Sequence, residues 1–240
     1  MPVLAAKKLF LIPLFASLWL LLTSFVPGSG RRVESTLIPK AGMTAPSTHT
    51  LSASGSSEMN RFIRKVADGA ANQLVGIYAP GKFEHPIVQQ PAGQPVFVSS
   101  DPDQVTQFGL PSQFGAIGLL AHNSLAGSDF FRLRIGSLFY LVYGDGSSTS
   151  YQVNSILRYQ ALDPENPYSV FVDPSKPGQL LTSGDLFRII YTQGRSVVIQ
   201  TCIEENGEAS WGRIFIRAAQ TASTRFKFVP PIRLAAHANR

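Results

Sequence analysis

Cys202 is the only cysteine in this 240-residue chain, and it is the residue best suited to nucleophilic chemistry. It follows an apolar β-type run at residues 197–201 and precedes a polar turn at 204–208, a pattern that predicts a cysteine at a strand end. A thiolate is the attacking species, and it needs a base or a cation beside it. The alternative interpretation is a buried cysteine that acts as a small apolar residue. A lone cysteine also excludes an intrachain disulfide framework and a zinc site built from several thiolates.

The chain has four histidines, and one of them is placed as a catalytic acid/base would be. His122 ends an apolar strand predicted over residues 115–121 and opens a polar loop. The other three lie in segments predicted to be linker, loop and tail: His49, His85 and His237. His122 is therefore the candidate acid/base, although a lone histidine at a strand end is more often structural.

Arg213 opens a strand predicted over residues 213–218, on the far side of a turn from Cys202. A guanidinium that faces a thiol across one hairpin could stabilise the oxyanion of an acyl-transfer intermediate. A solvated surface charge is the alternative interpretation of any single arginine. Whether the three candidates form one active site therefore depends on whether the fold brings them together.

The body of the chain consists of short β-type runs separated by turn clusters. Ser57 can cap a short helix before these runs, and Thr182 with Asp185 matches a capping box for a later one. Many short strands at modest spacing predict an all-β barrel or sandwich with a few short helices. The runs predicted as strands cover residues 74–78, 95–99, 115–121, 138–143, 151–159, 196–201 and 213–218.

Residues 1–26 are predicted to be an N-terminal membrane anchor or signal segment. Lys7 and Lys8 precede an uncharged apolar run of 18 residues, 9–26, which is at the lower limit for spanning a bilayer. Its end does not match the small-residue pattern of a signal-peptide cleavage site, so an uncleaved anchor is favoured. The flanking charges favour a single pass at the cell membrane with the rest of the chain outside the cytoplasm. Cleavage of the segment would instead give a secreted protein.

Composition divides the rest of the chain into three parts. Residues 27–57 are predicted to be a flexible linker rich in Pro, Gly, Ser and Thr, residues 58–220 a folded domain, and residues 221–240 a basic tail. The formal net charge is +6, yet residues 58–212 carry ten Lys/Arg and fourteen Asp/Glu, a net charge of −4. The positive charge lies at the two ends, which argues against a basic nucleic-acid groove and fits a membrane or wall neighbourhood.

The residues around the three candidates resemble the signature of the sortases. Residues 198–202 read Val-Ile-Gln-Thr-Cys, which is similar to the Thr-Leu-x-Thr-Cys strand end of that family, and Arg213 follows eleven residues after the cysteine. His122 lies 80 residues before the cysteine and is followed by Phe-Phe-Arg-Leu at 130–133, as in sortases. The three motifs occur in the sortase order, which makes the combination more specific than any one of them.

The resemblance covers roughly residues 70–220 and departs from the family pattern at Val198 and Ile199, where sortases have Thr and Leu. Both replacements keep an apolar β-type strand, so they bear on the subclass more than on the chemistry. The resemblance implies a mainly β fold, a closed eight-stranded sortase-type β-barrel with a few short helices. It also implies a membrane-anchored cysteine transpeptidase that requires no metal and no organic cofactor.

The resemblance further implies a role for each site residue. Cys202 would attack a backbone carbonyl in the sorting motif of a secreted protein and form a thioacyl-enzyme. His122 would act as the acid/base, and Arg213 would hold the oxyanion or the substrate carbonyl. Thr201 would pack or bond beside the substrate. An amine acceptor, either a cell-wall peptide or a lysine of another protein, would then resolve the intermediate.

Two alternatives stay open on the sequence alone. One is a cysteine peptidase of the same fold that only hydrolyses its substrate, with water as the acceptor. The other is a non-catalytic barrel that binds an extracellular peptide. The L,D-transpeptidases, another cell-wall class with a catalytic cysteine, are disfavoured because their Ser-His-Gly-Cys-type motif is absent around Cys202.

Overall fold

The structure is a computed structural model that describes residues 53–221 and 226–227. The predicted anchor at 1–26, most of the predicted linker and most of the predicted tail lie outside the described residues. Within the part that is described, no helix is both long enough and apolar enough to cross a membrane.

The described residues form one sheet of eleven strands, with a helix before the first strand and a second helix late in the chain. Two short 3₁₀ helices, Leu110–Phe114 and Ala126–Arg132, flank the fourth strand. In chain order the other elements are α1 (Ala53–Val66), β1 (Leu74–Ala79), β2 (Phe83–Gln89), β3 (Val105–Phe108), β4 (Ile117–Leu120), β5 (Leu138–Tyr143), β6 (Ser147–Ala161), β7 (Phe171–Val172), β8 (Leu180–Leu181), α2 (Ser183–Tyr191), β9 (Val197–Glu205), β10 (Glu208–Gln220) and β11 (Phe226–Lys227).

Eight of these strands close into a barrel. Hydrogen-bonded neighbours run in the order β1-β2-β3-β4-β9-β10-β6-β5, and β5 pairs again with β1. The pairs β2–β3 and β4–β9 are parallel, and the other pairs in the ring are antiparallel. The short strands β7, β8 and β11 extend the sheet from β6 and lie outside the ring. The strand pairing therefore confirms the closed eight-stranded sortase-type barrel predicted from the sequence.

The barrel interior is filled by alternate side chains of its strands, as the two-residue period of a strand requires. On β9 the inward residues include Val197, Ile199 and Ile203, and on β10 they include Ile214 and Ile216; all five belong to the main buried core. The residues between them on both strands point to the outer face. This alternation decides which side of the barrel wall each candidate site residue faces.

Helix α2 covers part of the outer face of the barrel wall. Thr182 caps it, and the reciprocal bonds of a capping box with Asp185 are both present, as predicted. Its buried residues Leu186 and Ile190 pack with Val198 of β9 and Phe215 of β10 in a second apolar cluster. A large part of the free energy that holds α2 in place comes from burial of this apolar face.

Three details of the predicted elements are corrected by the structure. Strands β2 and β3 were not predicted, whereas the predicted strand at 95–99 lies in the connection between them and is not a strand. Pro86 lies inside β2, directly before the residue where pairing with β3 begins, so its lack of an N–H costs no bond to β3. His85, predicted to lie in a loop, is therefore part of β2. Helix α1 begins at Ala53, ahead of the predicted cap at Ser57.

Candidate active site

The three candidate residues lie on or directly after three neighbouring strands. Strand β4 pairs in parallel with β9, and β9 pairs with β10 in an antiparallel hairpin. His122 lies two residues after β4, whereas Cys202 and Arg213 lie inside their strands, because β9 continues to Glu205 and β10 begins at Glu208, ahead of the predicted start at Arg213. The hydrogen-bonding order of the sheet thus brings together residues that are 80 and 11 positions apart in the chain.

Cys202 and Arg213 are directly opposed in the β9–β10 register. Opposed residues in an antiparallel pair place their Cβ atoms about 4.5–5.5 Å apart on the same face of the sheet. The neighbours Ile203 and Ile214 point into the barrel core, so both candidates point to the outer face. Both side chains are half-buried, and Cys202 is a free thiol.

His122 lies just beyond the residues over which β4 and β9 are hydrogen-bonded to each other. The last residue pair of the two strands joins Leu120 to Gln200, and the N–H of Ala121 still donates to the Gln200 carbonyl at 3.3 Å. Continuing this register by two residues brings His122 level with Cys202. Ala121 belongs to the inner core, whereas His122 is exposed to solvent.

The guanidinium of Arg213 is held by main-chain carbonyl groups. Its Nη1 donates to Ser210 O and to Gly212 O, both at 2.9 Å, and its Nη2 donates to Pro164 O at 3.1 Å. These bonds use three of the five N–H donors of the side chain. They fix the guanidinium in place and fasten the connection between β6 and β7 to β10. The Nε–H and one Nη2–H take no part in these three bonds.

Thr201 was expected to pack or bond beside the substrate, and the structure places its side chain in the barrel interior instead. The residue is 2% exposed, and its hydroxyl donates to Ala121 O at 2.8 Å. This bond joins the strand that ends in Cys202 to the residue before His122. Alternation explains the difference, because the residue next to an outward cysteine must point inward. Thr201 therefore holds β4 and β9 together at the site.

Two further residues hold the loop that contains His122, and neither was singled out in the sequence. The Asn123 side chain donates from Nδ2 to Ala209 O at 2.8 Å, which ties the loop to the β9–β10 hairpin. Gly127 donates its N–H to His122 O at 3.0 Å. A side chain at Gly127 would meet the Thr201 hydroxyl, so this close approach requires glycine. The polar run Asn-Ser-Leu-Ala-Gly after the histidine was the available signal.

Tyr191 of α2 ties the outer helix to β9 just before the cysteine. Its hydroxyl donates to Gln200 Oε1 at 2.7 Å, and its ring packs edge-on against Phe108 and Phe215. Burial raises the pKa of Tyr191 above its ordinary value, so the phenol stays protonated and remains a donor. The wall beside Cys202 is therefore anchored from the outside by α2 and from the inside by Thr201.

The connection between β6 and β7 presents apolar side chains to solvent next to the Arg213 bond. Leu162 is 53% exposed and Tyr168 is 67% exposed, and both belong to the loop whose Pro164 carbonyl accepts from Arg213. Exposed large apolar residues on a fastened loop form a contact surface for an apolar ligand.

No protein-family model matches the sequence, and no curated protein matches it. Several solved structures are similar to it in fold, all of them sortases. Sortase A of Listeria monocytogenes is 11% identical, with a TM-score of 0.42 over 68% of this chain and 93% of the other. Sortase E1 of Streptomyces coelicolor, solved with a tripeptide in its active site, is 18% identical, with a TM-score of 0.40 over 67% and 93%. Clostridium perfringens sortase C, solved with the C-terminal cell wall sorting motif, is 19% identical, with a TM-score of 0.37 over 71% and 91%.

Proposed function

We propose that this protein is a sortase-type cysteine transpeptidase that cleaves a sorting motif in secreted proteins and transfers it to an amine acceptor. The observation that carries the proposal is the strand order β4-β9-β10, in which Cys202 is paired directly with Arg213 and His122 follows β4, the strand on the other side of β9. A nucleophile, an acid/base and a fixed cation at one end of one wall are the groups that acyl transfer needs.

The proposed reaction has two steps, acylation of the cysteine and transfer to the amine. The Cys202 thiolate attacks a backbone carbonyl, a carbon–sulfur bond forms, and the carbon–nitrogen bond breaks as the leaving amine takes a proton from the His122 imidazolium. An incoming amine then attacks the thioacyl carbon and gives its proton to His122. The carbon–sulfur bond breaks, a new amide forms, and the thiolate is regenerated.

Arg213 stabilises the negative charge that develops on the carbonyl oxygen. Its guanidinium is already fixed by three main-chain bonds, so little reorganisation is needed when the charge appears. The Nε–H and the second Nη2–H are the donors offered to the oxyanion.

The surroundings of the three residues fit the two proposed substrates. Leu162 and Tyr168 supply an apolar surface beside Arg213 for side chains of the sorting-motif peptide. Beyond Cys202, the β9–β10 hairpin carries the acidic residues Glu204, Glu205 and Glu208. Their negative charge would raise the local concentration of an ammonium group, as in a cell-wall peptide or a protein lysine.

The proposal includes attachment to the cell membrane through residues 1–26, with the barrel outside the cytoplasm. Its support is the uncharged run of 18 apolar residues, and the linker predicted at 27–57 would hold the barrel a short distance from the membrane. Fractionation of cells that express the full chain, followed by protease treatment of intact spheroplasts, tests the location and the orientation.

The decisive experiment is thioacyl formation on a sorting-motif peptide library, followed by mass spectrometry of the intact protein. Cys202→Ala should abolish the adduct, and Arg213→Lys should lower kcat/KM by about a hundredfold or more, because lysine has no planar fork of donors. Arg217→Lys is the matched control, since Arg217 also points outward from β10 but donates to α2 carbonyls at Ile189 and Ile190. Adduct formation that survives in Cys202→Ala contradicts the proposal.

Adding an amine acceptor separates the proposal from the two alternatives. Ligated product that increases with the amine concentration indicates a transpeptidase. Cleavage without ligation indicates a hydrolase of the same fold. Peptide binding without any covalent adduct, together with a Cys202 thiol that resists alkylation, indicates a binding barrel.

A further inference from the structure

A charged cluster on the second 3₁₀ helix, Ala126–Arg132, has no role in the proposed chemistry. The Asp129 carboxylate lies between two basic side chains. Its Oδ2 is 3.2 Å from His85 Nε2, and its Oδ1 accepts from Arg132 Nη1 at 3.2 Å. His85 is only 5% exposed, and its ring stacks on Phe83. A buried polar side chain of this kind needs hydrogen-bond partners, and here they are the Asp103 carbonyl and the Asp129 carboxylate.

Both ring nitrogens of His85 face acceptors. Nδ1 is 3.1 Å from the Asp103 carbonyl oxygen, and Nε2 faces the Asp129 carboxylate. The ring is therefore held from both sides, by the main chain at Asp103 and by the side chain of Asp129.

The same cluster fastens the 3₁₀ helix to the β1–β2 hairpin. Arg132 donates from Nη2 to Gly81 O at 3.1 Å and from Nη1 to Lys82 O, while His85 belongs to β2 itself. Asp129 is the only described residue that joins His85 to Arg132 in this cluster. Replacing its carboxylate would weaken the contacts to His85 and Arg132 and would loosen the C-terminal half of the helix.

The other end of this helix sets the backbone position of His122. The carbonyl of His122 accepts from the N–H groups of Leu125 and Gly127, both at 3.0 Å. Gly127 is in close contact with the Thr201 hydroxyl, so the start of the helix is seated on β9 beside the cysteine. The helix is only seven residues long, and a shift at Asp129 is therefore transmitted to Gly127, two residues away.

We propose that Asp129 is a positioning residue that holds His122 level with Cys202 through the 3₁₀ helix. His85 and Arg132 are the two charges that fix Asp129 in turn. The effect of Asp129 on catalysis rests on the proposed function, whereas its effect on the loop that contains His122 rests on the fold alone. It explains why a half-buried contact between His85 and Asp129 joins two segments that are 44 residues apart in the chain.

The test compares Asp129→Asn with Asp185→Asn in the full chain. The two aspartates are matched, because each pairs with an arginine three residues later in a helix, but Asp185 lies in α2. Asp129→Asn should lower kcat by about ten- to a hundredfold, the effect of misplacing a catalytic group by a fraction of an ångström to an ångström. KM for the sorting-motif peptide should stay within about twofold, because the peptide surface at 162–168 is untouched. Asp185→Asn should leave kcat within about twofold of the wild type.

A readout independent of activity accompanies the kinetics. Hydrogen exchange of the Gly127 amide should accelerate at least tenfold in Asp129→Asn and stay unchanged in Asp185→Asn. If the wild type shows no acyl transfer at all, the proposed function fails, and the exchange rate of Gly127 still decides the positioning role. An unchanged Gly127 rate, or a rise in KM in place of a fall in kcat, overturns the inference.

Arg132→Gln serves as a second variant in case Asp129→Asn does not fold. It removes the exposed partner of Asp129 and leaves the buried His85 pair in place. The ion pair is exposed and contributes little, but Arg132 also donates to the Gly81 and Lys82 carbonyls. Exchange at Gly127 should therefore be faster than in the wild type but slower than in Asp129→Asn, and kcat should fall by at most about fivefold. A normal exchange rate in this variant, combined with a lower kcat, would show that Arg132 acts on the reaction by another route and would overturn the inference.

Discussion

Gly127→Ala tests whether the 3₁₀ helix after His122 is seated on the catalytic wall as closely as the structure shows. A Cβ at this position would lie 2.4 Å from Thr201 Oγ1, 2.6 Å from His122 O and 2.9 Å from Ala121 O. Two of these three atoms are main-chain carbonyls, which cannot rotate away as a flexible side chain would. Overpacking of this kind costs about 1–3 kcal/mol, and the fixed carbonyls place this case in the upper half of that range.

The cost is measured by urea and thermal unfolding of the full chain. At about 2–4 °C for each kcal/mol in a protein of this size, a loss of about 2–3 kcal/mol lowers Tm by roughly 4–12 °C. Gly184→Ala is the matched control, because the nearest atom to its added Cβ is Thr182 Oγ1 at 3.8 Å. Gly184 lies in α2, so this substitution should be neutral or stabilise the protein by at most about 1 kcal/mol.

A double variant identifies the atoms responsible. Thr201→Ala removes the nearest atom and leaves the two carbonyls, so Gly127→Ala with Thr201→Ala should cost less than the sum of the single changes by at least about 0.5 kcal/mol. Strict additivity would mean that Gly127 and Thr201 are not in contact. A Tm for Gly127→Ala within 1 °C of the wild type would refute the close seating of the helix on β9.

Two further predictions concern α2. Tyr191→Phe removes the hydroxyl that donates to Gln200 and leaves the ring in place, so it should lower the free energy of unfolding by about 1 kcal/mol, measured in urea; no loss would mean that this bond adds nothing. Hydrogen bonds from the Thr182 side chain, and then from Arg188, hold the pKa of Asp185 below its usual range. Because this pKa is lowered on folding, the cap of α2 should persist from pH 7 down to about 4 and be lost only in stronger acid. The Thr182 amide signal in NMR follows this change, and a midpoint above about pH 4 contradicts it.

Some features of the fold are local, and the sequence predicts them well. The hairpin of β5 and β6 follows from the β-type runs at 138–143 and 151–159, although β6 already begins at Ser147. The capping box of α2 follows from Thr182 and Asp185 three residues apart. Strand β2 was not predicted because Pro86 and the polar residues around it are poor strand formers. Tertiary pairing outweighs that weak local preference, since β1 lies on one side of the strand and β3 on the other.

The candidate site also combines features that local sequence predicts with features that only tertiary pairing sets. Cys202, His122 and Arg213 were each selected from local pattern, and the order of the motifs gave the resemblance to one family. The predicted strand ends were too early for β9 and too late for β10, because the hairpin pairing extends both strands beyond the apolar runs. The sequence could not show that Thr201 faces inward. Alternate residues of a strand point to opposite faces, and only the closed barrel decides which face is the interior. It also could not show that His85 meets Asp129, since nothing local relates residues 44 positions apart.

The sequence by itself determined which residue types are available for chemistry and where most of the long apolar strands lie, because both depend on side-chain identity and on a two-residue period. It also determined that the positive charge lies at the ends of the chain. Only the tertiary structure decided that β4, β9 and β10 are neighbours, that Cys202 and Arg213 share the outer face, and which residues hold His122 in place. These relations arise from hydrogen bonding between distant strands and from closure of the barrel, which no local pattern contains.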